Sequence, residues 1–110
     1  MAPMDERILH EIDDTIHAKA RLGIMSVLLT EQSASFSFLK KALGLTDGNL
    51  GNHVRILEEA GYITVQKAFA ERKPRTTCQA TEAGRKAFLE YMETLQLLFE
   101  ATKHGGQESD

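Results

Sequence analysis

Only one cysteine, Cys78, occurs in the 110 residues. An internal disulfide is therefore excluded, the fold must rest on a buried core, and a reducing cytoplasm is the expected compartment. No apolar run approaches the roughly 18 residues a membrane span needs. The opening segment "MAPMDERILHEIDD" lacks the basic and apolar regions of a secretory signal. Also missing are a nucleophile beside its base, a phosphate-binding loop and a paired-carboxylate site, so the chain is not expected to be an enzyme. There is no internal repeat and no break in composition. A single domain over residues 1–104 is expected, with 105–110 as a disordered tail.

What is present is a soluble-globular balance, with 42% hydrophobic and 26% charged residues and a net charge of −3. The charge is unevenly placed. Residues 67–86 hold Lys67, Arg72, Lys73, Arg75, Arg85 and Lys86 against Glu71 and Glu82. The segments before and after them are neutral or acidic. A cationic patch on an acidic protein can still meet phosphate locally.

Apolar spacing outlines the elements. Ile8, Leu9, Ile12 and Ile16 predict a helix over 5–16. "AKARLGIMSVLLTE" predicts a second, with Leu22, Met25 and Leu29 on one face and Ile24 and Leu28 beside them. "QSASFS" is a polar break with room for a short extended segment. "FLKKALG" predicts a brief helix burying Leu39, Ala42 and Leu43, with Gly44 as a left-handed cap. Thr46 is a good N-cap for the next helix, which buries Leu50, Val54 and Leu57 and stops at Gly61. "YITVQKAF" and "TTCQA" alternate as two strands, joined by "AERKPR" as the turn. Pro74 lacks an N–H and belongs at a loop or an edge. From Thr81 a last helix carries Gly84, Phe88, Tyr91, Leu95, Leu98 and Thr102 along a heptad seam.

The helix–turn–helix followed by a hairpin is also familiar in its residues. "IHAKARLGIMSVL", "LGLTDGNLGNHVRILEEAGYI" and "RKPRTTCQATEAGRKAF" resemble small winged helix-turn-helix transcriptional regulators related to the MarR and ArsR groups. The resemblance runs from about Ile16 into the last helix. It implies a mainly α fold with a β-hairpin wing and flanking dimerisation helices. It also implies a cytoplasmic homodimer that binds operator DNA, with the helix over 46–60 in the major groove and the wing, 70–75, on the backbone or minor groove. The chain departs from the pattern at Gly51, where relatives have a hydroxyl or longer polar residue, and at Cys78, where they have an aromatic.

This resemblance gives a reason for an otherwise poor helix. "DGNLGNH" places glycine and asparagine where each interior Gly costs about 1 kcal/mol against Ala. Gly48, Gly51, Asn52 and Arg55 recur at helical spacing away from the apolar stripe, with Asn49 and His53 flanking. Asn pairs with adenine through two hydrogen bonds, Arg pairs with guanine or phosphate, and glycine permits close approach. The expected DNA contacts are these six residues together with Arg72, Lys73 and Arg75 of the wing. The expected dimerisation residues are Ile8, Ile12, Phe88, Tyr91, Leu95 and Leu98. No cofactor and no metal are expected. His10, Asp14 and His17 share a helical face, but capping is the plainer role for His17, and the Cys-x-Cys pair of metal-sensing ArsR relatives is absent. Cys78 is expected to pack. The absence of an activation module favours a repressor. The alternative function is a winged-helix protein-interaction module without specific DNA binding, and the sequence does not reveal whether a small-molecule effector is sensed.

Overall fold

A computed structural model of the chain describes residues 13–105. The order is α1 (Asp14–His17), α2 (Lys19–Glu31), β1 (Ser33–Ser35), α3 (Phe36–Leu43), α4 (Asp47–Glu59), β2 (Ile63–Ala70), β3 (Lys73–Ala80) and α5 (Glu82–Gly105). The three strands form one antiparallel sheet in the order β1-β3-β2. The fold is a winged helix: a compact helical trio closed by a three-stranded sheet whose β2–β3 hairpin extends beyond it.

Local chemistry explains most boundaries. Ser35 caps α3, its Oγ accepting from Phe38 N at 3.0 Å. Gly44 closes that helix at φ +64°, a conformation that costs glycine little. Thr46 caps α4 by accepting from Asn49 N at 3.2 Å. At the other end Gly61 takes φ +81°. Tyr62 N then donates to Leu57 O and Gly61 N to Glu58 O, both at 3.0 Å, which is the Schellman arrangement. Thr81 joins the parts: its N–H donates to Tyr62 O at 2.9 Å. Its hydroxyl donates to Gly61 O at 2.7 Å and accepts from Gly84 N at 2.9 Å.

Among the described residues the main core cluster joins three helices to the sheet. Ile24, Met25 and Leu28 of α2 meet Leu39 of α3, Leu50, Val54 and Leu57 of α4, Ala34 of β1, Ile63 of β2 and Cys78 of β3. Cys78 is buried as a packing residue, and burial, with Glu58 adding to it, pushes its thiol up to about 11.

Several expectations need correction. Ala42 is exposed, not part of the buried side of α3, and Leu22 and Leu29 are only half-buried, so α2 turns Ile24, Met25 and Leu28 inward. A continuous helix over 5–16 does not fit, because Asp13 is extended (φ −70°, ψ 111°) and caps a new helix through Thr15 N and Ile16 N. Ile8 and Ile12 lie outside the described residues. The N-cap of α2 is Ala18, without a side-chain cap bond. The hairpin turn is Glu71–Arg72 alone, at φ 53° and 66°, a primed two-residue turn whose twist matches the strands. Pro74 accordingly lies inside β3, opposite Phe69. It is tolerated because β1 pairs only with residues 77–79, leaving that side of Pro74 without a strand to bond.

Candidate nucleic-acid interface

α4 is amphipathic, with Leu50, Val54 and Leu57 buried. Gly48, Asn49, Asn52, Arg55 and Glu59 are exposed on its other side, and Gly51 is half-buried. A Cβ built on Gly48 or Gly51 meets nothing within 4 Å. Neither glycine is needed by the packing of the described residues, so their helix cost has no structural return there.

Three side chains of this face are joined. Arg55 Nη2 donates to Asn52 Oδ1 at 2.7 Å, and Arg55 Nη1 donates to Glu59 Oε2 at 3.2 Å and Oε1 at 3.3 Å. Asn52, Arg55 and Glu59 are three and four residues apart, the spacing that brings side chains together on a helix. Glu59 had no place among the expected contacts, although its i+4 relation to Arg55 was visible.

His53 is placed differently from the other five helix candidates. Its Nδ1 lies 3.1 Å from Arg21 Nη1. Arginine only donates, so Nδ1 must accept and the ring proton sits on Nε2. Burial first, and the Arg21 charge second, lower its pKa from 6.5. Arg21 also donates through Nε to Thr15 O. The imidazole thus belongs to a strut from α1 through α2 to α4. A second tie is Tyr62 Oη, which donates to Asp13 Oδ2 at 2.6 Å. The carboxylate acceptor, with some burial, raises the phenol to about 12. Neither Arg21 nor Asp13 was legible as a partner, since both bonds span distant parts of the chain.

The wing carries Lys67, Arg72, Lys73 and Arg75, all exposed, against Glu71. Arg72 sits in the turn, while Lys73 and Arg75 lie on β3 opposite Ala70 and Ala68. This corrects their expected position at the tip. The outer part of the hairpin also exposes Phe69, at 79%, opposite Pro74. This aromatic reads in the sequence only as a strand former. Helix α4, by contrast, holds Asp47, Glu58 and Glu59 against Arg55, so the wing is the cationic element of the pair.

On α5, Tyr91 is only 3% exposed and Phe88 packs against the core cluster. Leu95 and Leu98 are half-buried, and Thr102 is exposed. The large apolar side chains that α5 leaves open are Leu89, Met92, Leu97 and Phe99. Gly84 is buried against the Tyr62 carbonyl, which a Cβ would approach to 2.1 Å.

The winged helix DNA-binding domain family matches residues 20–99. An uncharacterized protein of Methanocaldococcus jannaschii is 38% identical over 78 residues, covering 70% of this chain and 85% of that protein. The transcriptional regulator homologue of Pyrococcus horikoshii OT3 superposes with a TM-score of 0.81 at 32% identity, over 93% of this chain and 98% of its own. A MarR-family regulator of Enterococcus faecalis V583 has a TM-score of 0.66 at 24% identity, over 94% and 89%; that likeness concerns the fold alone.

Proposed function

The chain belongs to the winged helix DNA-binding domain family, and from that membership we propose that it is a sequence-specific transcriptional regulator acting as a homodimer on operator DNA. In this reading α4 enters the major groove and the wing lies on the backbone or in the minor groove. The observation that carries it is the outward face of α4. Two glycines with open space around them stand beside Asn52 and Arg55, and nothing among the described residues packs on those glycines. Donors of this kind read base edges. Phosphate affinity comes mainly from Arg72, Lys73 and Arg75, because α4 carries more acid than base.

Dimerisation uses α5. Tyr91 and Phe88 serve the protomer's own packing. Met92, Phe99 and Leu89 remain for a partner, with Leu95 and Leu98 at the edge of the contact. A dimer presents two α4 helices to one duplex, the arrangement that repeated half-sites require. Repression by occupation of the operator is the proposed outcome. The proposed compartment is the cytoplasm; among the described residues no helix is long and apolar enough to cross a membrane.

Titrating duplex binding against salt tests this reading. A DNA regulator of this design loses affinity linearly on logarithmic axes, with a slope of about 0.9 per phosphate contact. Absence of duplex binding at low salt would favour the protein-interaction alternative, for which the acid-rich α4 is the supporting feature.

A further inference from the structure

The Asn52–Arg55–Glu59 cluster constrains which bases α4 can select. An Asn side chain that reads adenine needs both halves of its amide: the oxygen accepts from N6–H and the nitrogen donates to N7. Here the oxygen already accepts from Arg55. Arg55 Nη2 lies 2.7 Å from Asn52 Oδ1, and a guanidinium has no acceptor, so the atom facing it must be the oxygen. That bond takes one of the two lone pairs of the oxygen and leaves the Asn52 amide nitrogen as a further donor. Glu59 takes Arg55 Nη1 through both carboxylate oxygens and fixes the plane of the guanidinium. Arg55 retains Nε–H and spare Nη hydrogens. Toward the groove Arg55 then offers donors alone, while the amide oxygen is turned toward the guanidinium. Excluding water from the groove strengthens hydrogen bonds and makes this arrangement harder to break.

We propose that Asn52, Arg55 and Glu59 form one reading unit that presents the Arg55 guanidinium to guanine, and that Glu59 is the specificity-determining residue that holds it together. Guanine offers two acceptors in the major groove, N7 and O6. Adenine and cytosine both present an amino donor there, which the guanidinium cannot accept, and thymine presents a single acceptor. Glu59 also cancels the charge of Arg55, so that the arginine is held for base reading instead of swinging to the nearest phosphate. The inference rests on the groove-reading function proposed above.

The test is selection of bound duplexes from a randomised pool by the wild-type chain and by Asn52→Ala, Arg55→Ala and Glu59→Ala. Guanine is then replaced by 7-deazaguanine in the preferred site. The position read by the unit is the one at which Asn52→Ala and Arg55→Ala lose preference. The expected base there is guanine, and removing its N7 should weaken wild-type binding by about tenfold, within the range of a base-reading contact. Glu59→Ala should bind non-specific duplex severalfold more tightly, because an acidic charge is removed near phosphate, while its guanine preference collapses. A merely structural glutamate would not move those two readouts in opposite directions. Adenine at that position would overturn the inference and leave groove reading intact. Unchanged guanine preference in Glu59→Ala would also overturn it. Failure of every variant and the wild type to bind duplex would remove the inference together with the proposed function.

Discussion

Gly51→Ala separates folding from function at a single methyl group. Gly51 lies inside α4, beyond the turn capped by Thr46, and a Cβ there meets nothing within 4 Å. Alanine therefore gains helix propensity without a clash. The expected gain is about 1 kcal/mol, or roughly 4–8 °C in melting temperature for a domain near this size. The same methyl thickens the helix on the flank of the face proposed to enter the groove. If glycine is there for close approach, operator affinity should fall by about tenfold, equivalent to about 1.4 kcal/mol. Thermal or urea unfolding followed by circular dichroism gives the first quantity, and fluorescence anisotropy with a labelled operator gives the second. Gly84→Ala is the matching control of opposite sign. Its Cβ would sit 2.1 Å from the Tyr62 carbonyl oxygen, and overpacking against backbone costs about 1–3 kcal/mol or more. A Gly51→Ala protein that is more stable and binds with wild-type affinity would refute the argument that approach to DNA selected this glycine. A less stable one would refute the argument from open space.

Further expectations concern the wing, the dimer and the struts. Arg72→Ala with Arg75→Ala should lower the salt slope by about 0.9 for each phosphate left without its cation and weaken specific and non-specific binding together. An unchanged slope would place the phosphate-binding residues elsewhere. Met92→Glu with Phe99→Glu should yield folded monomers in sedimentation at micromolar concentration, since these side chains are already 43% and 60% exposed in the protomer while carboxylates in a dry contact are costly. A dimer that survives would exclude this face. His53 has a folded pKa below its ordinary value of 6.5, so the neutral ring is the form the fold favours. Its contribution is complete above pH 6.5 and is lost as pH falls through the folded value. Wild type should therefore lose more stability between pH 7 and pH 5 than His53→Gln, measured by urea midpoints; parallel losses would contradict the Arg21–His53 strut.

Features set by neighbours in the chain were legible in the sequence. Thr46, Gly44 and Gly61 announce helix ends because caps are made within a turn of chain, and Leu50, Val54 and Leu57 announce a buried face because a helix repeats. What depended on distant pairing was harder to read. The start of β3 at Lys73 depends on the short reach of β1, which no spacing in "AERKPR" encodes. The face of α5 was ambiguous for the same reason. Tyr91 and Met92 are both apolar and adjacent, and only the docking of α5 through Gly84 on Tyr62 decides that Tyr91 turns inward. On the candidate interface the residue types were visible but their partners were not. Asn52 and Arg55 stand out by position, whereas the bond between them depends on rotamers held by Glu59. His53 falls with the DNA face by spacing, and Arg21, 32 residues away, gives it another role.

Selection of duplex DNA from a randomised pool by the intact chain, followed by affinity measurement at near-physiological salt, tests the central claim most directly. The account predicts an enriched motif of two related half-sites about 34–36 Å apart along the helix axis. The selected duplex should bind about a thousandfold or more tightly than a scrambled one. A pool that remains random after repeated rounds, or equal affinity for selected and scrambled duplexes, would contradict it.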